Sequence, residues 1–229
     1  MKLNLTNVTA VCMQGYGPER GGFYVDISNR LKRIIPYMLK FFDFKEIVLI
    51  APENLNIDGI TYHMTEPLTH NDYQVWRLHH MGDYVNTDFG LLFQDDGFPL
   101  NPDMWRDEFL DYDYVGAPTT KDMGIQYKEE MIGGGGFTLN SKRLLEFTKG
   151  IVQPDEYGFY VNEDTSIAFY HRDEIVSLGM KICPHTIAKH FSFQNPIDDE
   201  VSLYNTFGFH GRHHKTHLID SIIKGRMGD

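Results

Sequence analysis

The sequence is poor in cysteine, in basic residues and in long apolar runs. Only Cys12 and Cys183 occur among 229 residues, and two distant thiols give no disulfide framework, which favours a reducing compartment. The 21 Lys and Arg residues are outnumbered by 32 Asp and Glu, giving a formal charge of -11. This balance argues against sequence-independent nucleic-acid binding and provides no polybasic segment for an anionic membrane surface.

Segments that would place the chain in or across a membrane are also missing. No apolar stretch approaches the roughly 20 residues that a transmembrane helix needs, and residues 1–10 lack the regions of a secretion signal. We therefore expect no transmembrane segment and a cytoplasmic location. Hydrophobic residues make up 41% of the chain and aromatic residues 14%, which is enough to fill a sizeable core. One domain over residues 1–229 is the simplest organisation.

The first half alternates strand-like apolar runs with helix-like periodicities. Strands are predicted over residues 8–13, 47–50, 60–63, 89–93 and 112–115, and helices over 31–42, 72–84 and 101–109. Pro36 should kink the first helix or mark its start. The run at 89–93 is apolar on both faces, as in a parallel sheet covered by helices. This order predicts an α/β fold, an αβα sandwich with a central, mostly parallel sheet.

The second half is less regular. We expect a helix capped by Ser141 that ends near Thr148, and a second over residues 163–178 capped by Asn162 and terminated by Gly179. A short strand at 180–183 follows, and the remaining chain is polar and rich in histidine.

An acidic turn is the first candidate for chemistry. Gln94, Asp95, Asp96 and Gly97 follow the buried strand at 89–93. In open α/β sheets, ligands bind beyond the carboxyl ends of the strands. Adjacent carboxylates repel each other, and a divalent cation with a preference for hard oxygen ligands would remove that repulsion. A plain surface turn is the alternative, because Asp and Gly are common in turns.

Four further features could contribute to a site. Four glycines at 133–136 suit a close approach of backbone or ligand, although a flexible loop is the alternative. Glu163 and Asp164 could include a general base, or could simply favour a helix start. His210 lies among aromatic residues and glycines and could complete a metal site with the aspartates. Arg20, Arg77 and Arg212 are candidate phosphate contacts, whereas His213, His214 and His217 are interpreted as surface residues.

Taken in order, these motifs resemble glycosyltransferases of the GT-A fold and, more narrowly, the DUF5672-type family, whose members are thought to be glycosyltransferases. The resemblance is carried by residues 91–98, 109–118, 134–139, 141–145, 162–164 and 207–211. The first 60 residues match only in general shape. The resemblance implies a Rossmann-like GT-A domain with a donor-binding half at about 1–118 and an acceptor and catalytic half at about 119–229.

The resemblance also implies a mechanism and roles for single residues. The protein would be a metal-dependent, inverting glycosyltransferase that moves a sugar from a nucleotide sugar, UDP-linked by preference, to a hydroxyl of a glycan or other acceptor. Mn²⁺ or Mg²⁺ would be held by Asp96, Asp95 and His210, although Gln94 stands where the D-x-D motif has its first aspartate. Asp164 would deprotonate the acceptor, with Glu163 as the fallback. Donor contacts would come from Gln14, Gly15, Tyr16, Arg77, Gln94 and Asp95, and the loop beneath the sugar from Gly134, Gly135, Gly136 and Phe137.

Two other functions remain open at this point. A metal-dependent nucleotidyltransferase shares an α/β sheet with an acidic metal site, but the first strand is not followed by a glycine-rich phosphate loop with a lysine. A non-catalytic sugar-binding module could keep the same fold. The products of the reaction, or their absence, separate these alternatives.

Overall fold

The computed structural model describes residues 1–14, 23–119, 131–152, 161–211 and 216–228. The strands are β1 (Leu3–Met13), β2 (Phe42–Ala51), β3 (Thr61–Met64), β4 (Phe89–Leu92), β5 (Gly97–Pro99), β6 (Tyr114–Val115), β7 (Ala117–Pro118), β8 (Ile132–Gly133), β9 (Thr138–Ser141), β10 (Ser192–Phe193) and β11 (Gly208–His210). The helices are α1 (Phe23–Phe41), α2 (His70–His79), α3 (Lys142–Thr148), α4 (Glu163–Thr165), α5 (Arg172–Ser177), α6 (His185–Phe191) and α7 (Thr216–Met227).

Six strands form the main sheet in the order β3-β2-β1-β4-β9-β6. The pairs β3-β2, β2-β1 and β1-β4 are parallel, whereas β9 is antiparallel to both β4 and β6. The prediction of an α/β fold is therefore confirmed, but the sheet is mixed rather than clearly mostly parallel. The antiparallel strand β9 follows the glycine run, at residues where no strand was predicted.

The parallel part of the sheet follows the predicted pattern. The carboxyl-terminal parts of β1 and β2 are continuous runs of buried residues, as expected for strands covered on both faces. The helix α1 buries Leu31, Ile34, Ile35 and Met38 against this sheet. It begins well before Pro36 and continues through it, so Pro36 does not mark the helix start. The chain order reverses between β1 and β4, which makes their carboxyl ends the switch point of the sheet.

A small second sheet stands beside the switch point. It has the order β10-β11-β5, with β11 antiparallel to β5 and parallel to β10. Phe98 and Phe209 lie on one face with their rings 4.8 Å apart. The opposite face carries glycines, because a side chain at Gly208 would meet the ring of Phe137 at 2.3 Å. One face of this sheet therefore carries a pair of aromatic rings, and on the other face a glycine leaves room for Phe137.

Several predicted helices differ from the structure. Residues 163–178 form α4, a π-helical turn (Ser166–Tyr170) and α5 instead of one helix, and the Asn162 side chain makes no cap bond. Asn101 does not cap a single helix either, because its amide donates to the carbonyls of Leu203 and Thr206. Two 3₁₀ turns (Pro102–Met104 and Asp107–Asp111) follow it. The predicted strand at 180–183 is reduced to one bridge between Tyr114 and Ile182.

Other local predictions are confirmed. The Ser141 hydroxyl accepts from the Leu144 N–H at the start of α3, and Gly179 has a φ of 75° beyond the end of α5.

Cys12 and Cys183 are both buried and not bonded to each other. The larger buried apolar cluster takes residues from both halves of the chain, from Leu5 to Ile223. No helix within the described ranges is long and apolar enough to cross a membrane.

Candidate functional site

The acidic turn is a two-residue hairpin turn between the end of β4 and the start of β5. The Gln94 N–H donates to the Gly97 carbonyl at 2.7 Å, and the Gly97 N–H donates to the Gln94 carbonyl at 3.2 Å. Asp95 and Asp96 therefore occupy the two turn positions, at the carboxyl end of a central strand. The Arg30 side chain reaches this turn from α1, with its Nε 2.7 Å from Asp95 Oδ2.

The structure brings His210 beside the acidic turn. His210 pairs with Gly97 across β11 and β5, and the next residue, Gly211, donates its N–H to the Asp96 carbonyl at 2.7 Å. The His210 ring also borders the glycine loop, because a side chain at Gly136 would lie 2.3 Å from His210 Nε2. The imidazole thus lies between the turn and the loop.

The protein alone does not supply a complete metal cage among the residues that the structure describes. These residues contain no group of three or more His, Cys, Asp or Glu side chains placed to hold a metal ion. Asp95 is ion-paired with Arg30, which leaves Asp96 and His210 as the candidate ligands from the predicted set. The Asp96 carboxylate suits a cation such as Mg²⁺ or Mn²⁺ that takes further ligands from water and substrate phosphates, whereas an imidazole is not a typical ligand of Mg²⁺.

The glycine loop, residues 133–136, is fixed in place by contacts on several sides. Gly134 has a φ of 76°, which side chains rarely tolerate. The N–H groups of Gly134 and Gly135 donate to Asp164 Oδ2 at 3.0 and 3.2 Å. A side chain at Gly135 would overlap Glu163 Oε1 at 1.9 Å. The glycines therefore serve close packing, and the flexible-loop alternative does not describe this segment.

The two acids at the start of α4 lie in different environments. Asp164 is partly exposed and, besides the loop N–H groups, accepts from the Thr165 N–H at 2.7 Å. Glu163 is 3% exposed, and its N–H donates to the Gln74 side-chain oxygen at 2.9 Å. Burial raises the pKa of the Glu163 carboxyl to about 7; the Asp164 charge adds to this shift and Arg77 opposes it. Asp164 is consequently the acid nearer to an external ligand.

Arg77 lies inside the protein, not at a surface that a donor could reach directly. It is 1% exposed, and its Nε lies 3.9 Å from Glu163 Oε1. Its two terminal nitrogens donate to Met81 Sδ and Thr138 Oγ1. The predicted donor contact is thus replaced by an ion pair beneath the glycine loop. Sequence reasoning missed this pair because the spacing between the partners carries no signal.

Other predicted donor contacts lie at the switch point. Gln14 follows β1, is 3% exposed, and donates from its side-chain nitrogen to Ser28 Oγ at 2.8 Å. Gln94 donates from its amide to the Tyr73 hydroxyl at 2.6 Å. Gln14, Gln94 and Asp95 line one small cavity between the strand ends and α1. Gly15, Tyr16, Arg20, Arg212, His213 and His214 lie outside the described residues, as does the side chain of His217.

Phe137 differs from its predicted role. It is completely buried and stacks on Phe191, with ring centroids 4.8 Å apart. A side chain packed in this way belongs to the core beneath the loop, so the aromatic residue supports the loop from below.

Residues 73–210 match the family described as a protein of unknown function, DUF5672. The match covers more than half of the chain. This chain belongs to that family. The matched segment of the DUF5672 protein begins on α2 and ends at His210, so it includes the acidic turn, the glycine loop, Glu163 and Asp164. No curated protein matches the chain.

Proposed function

We propose that this DUF5672 protein is a metal-dependent, inverting glycosyltransferase of the GT-A type that uses a nucleotide sugar, UDP-linked by preference. One observation carries the proposal. The acidic turn, His210, the glycine loop and Asp164 come from four separate segments and meet at the carboxyl ends of the strands, where the chain order reverses. That position is where open α/β sheets bind their ligands.

The assigned roles follow from the local geometry. Asp96 and His210 would hold a divalent cation, Mn²⁺ or Mg²⁺. When bound, the cation would stabilise the negative charge that develops on the leaving diphosphate. Asp164 is the general base for the acceptor hydroxyl, because it is the more exposed of the two acids and its orientation is fixed by the loop N–H groups. Glu163 supports the loop from inside the protein.

The first test measures binding and slow hydrolysis of UDP-, GDP- and dTDP-sugars, with Mn²⁺ and with chelator. We expect one donor to bind only with metal, and Asp96→Asn to lose that binding. Hydrolysis should break the bond between the anomeric carbon and oxygen, so that water takes the sugar and a nucleoside diphosphate leaves. A sugar 1-phosphate with a nucleoside monophosphate would instead indicate cleavage of the diphosphate, as in a nucleotidyl transfer. Binding without turnover would indicate a sugar-binding module.

The role of Asp164 as general base is tested by Asp164→Asn. The asparagine side chain keeps one oxygen that can accept hydrogen bonds from the loop N–H groups. We expect turnover to fall by roughly 10²–10⁴ while donor affinity stays within twofold of the original. Asp173→Asn, an exposed acid on α5, is the matched control and should change neither quantity. Unchanged turnover in Asp164→Asn would exclude it as the base.

A further inference from the structure

In the acidic turn, Asp95 forms an ion pair with Arg30. Arg30 Nε lies 2.7 Å from Asp95 Oδ2, and the two side chains are 26% and 10% exposed. Asp96, the other turn residue, carries a second negative charge directly beside this pair. A well-ordered, partly buried arginine–carboxylate bond is stronger than an exposed ion pair, because water screens it less.

The Arg30 guanidinium also borders open space next to Asp96. Arg30, Asp95 and Asp96 together line one cleft, whose remaining lining residues are mainly apolar. A guanidinium carries five N–H groups in a planar fork, so it can hold a carboxylate and a phosphate at the same time. A cation on the Asp96 side of the turn and a guanidinium on the other would face the same space.

We propose that Arg30 binds the diphosphate of the nucleotide, and that Asp95 is a positioning residue that holds the guanidinium at the turn, not a metal ligand. This inference rests on the proposed function, since it concerns the same ligand. Its physical basis is charge. A turn with two unpaired aspartates would repel a diphosphate, whereas Arg30 and a cation at Asp96 would make this part of an acidic protein locally attractive to one.

The chain offers a control arginine outside this cleft. Arg106 pairs with Glu108 on the surface at 3.2 Å, with the two side chains 43% and 41% exposed. An exposed pair of this kind contributes little. Arg106→Ala therefore removes the same charge without removing the contact to the acidic turn.

The experiment measures Mn²⁺-dependent binding of UDP and of inorganic pyrophosphate to the full chain by calorimetry. We expect Arg30→Ala to lower the affinity for both ligands by roughly tenfold or more, as for loss of a charge-assisted hydrogen bond. Arg30→Lys should recover part of the affinity, and the affinity of Arg106→Ala should stay within twofold of the original. Asp95→Asn should weaken binding of the diphosphate without changing the Mn²⁺ concentration that gives half-maximal binding. Asp96→Asn should abolish the dependence of binding on Mn²⁺. Thermal unfolding of each variant checks that it is folded.

Two results would overturn this inference without overturning the proposed function. Unchanged diphosphate affinity in Arg30→Ala would remove Arg30 from the site, and a loss of metal dependence in Asp95→Asn equal to that in Asp96→Asn would make Asp95 a metal ligand. If the original protein binds neither UDP nor pyrophosphate, nor any nucleotide sugar, the proposed function fails and the inference fails with it.

Discussion

The parallel side of the main sheet and the side that carries the glycine loop are stabilised in different ways. In the parallel side, β1 and β2 pair over long stretches and bury continuous apolar runs beneath α1. Toward the other side, β6 is only two residues long, as are β7 and β8 of a separate two-stranded sheet. Both regions bury apolar residues, but the short strands form few backbone hydrogen bonds to their neighbours.

Polar contacts compensate for the short strands. Asp113 precedes β6 and accepts from the Arg143 guanidinium, the Ser141 hydroxyl and the Lys181 N–H. In the glycine loop, Asp164 accepts from two N–H groups and Glu163 faces Arg77. Hydrogen bonds and ion pairs depend steeply on geometry and protonation. The candidate site therefore lies in a region whose contacts depend on single polar groups and on pH.

The largest effect is expected from a cavity in the parallel side. Leu49 on β2 is completely buried in the core, so Leu49→Ala should lower the free energy of unfolding by about 2–5 kcal/mol. Chemical denaturation measures this loss. Leu178→Ala is the control, because Leu178 is 59% exposed and its truncation should cost less than about 0.5 kcal/mol. Equal losses for the two variants would contradict the burial argument.

The next effect is a pH dependence that comes from the glycine-loop side. Glu163 has a pKa raised to about 7 by burial, so the folded state holds its proton where the unfolded state has released it. The free energy of unfolding should therefore fall as pH rises through the window from the ordinary carboxyl pKa to about 7, by up to about 3 kcal/mol, and stay low above it.

Glu163→Gln tests the origin of this pH dependence. Denaturation at pH 5, 6, 7 and 8 should give a smaller decline in the variant than in the original protein. Glu66→Gln, a change of an exposed acid, should leave the decline unaltered. If Glu163→Gln declines with pH as steeply as the original, the dependence does not come from this carboxyl.

The smallest of the three effects compares two glycines. A side chain at Gly135 would overlap Glu163 Oε1, whereas one at Gly225 on α7 would meet nothing within 4 Å. Gly135→Ala should destabilise by about 1–3 kcal/mol through overpacking, and Gly225→Ala should stabilise by roughly 0.5–1 kcal/mol through helix propensity. Thermal unfolding compares them. A neutral Gly135→Ala would show that the loop can move away from Glu163.

Sequence reasoning succeeded where a local pattern has one physical cause. Apolar runs predicted β1, β2, β3 and β4, and Ser141 and Gly179 marked helix ends by their capping chemistry. It failed over residues 163–178, where a π-helical turn breaks a pattern that looked continuous. It also missed β5, β10 and β11, since strands of two or three residues carry too few positions to show an alternation.

For the candidate site, the sequence likewise predicts some features and misses others. The sequence indicates which groups could do chemistry, because the acidic turn, the glycines, the acids at 163–164 and His210 are chemically distinctive. Which of these groups meet depends on the tertiary fold. The fold pairs Arg30 with Asp95, places Arg77 beneath the loop against Glu163, and gives two adjacent acids a buried and a partly exposed environment. These contacts join residues far apart in the chain, where no local periodicity reports on distance.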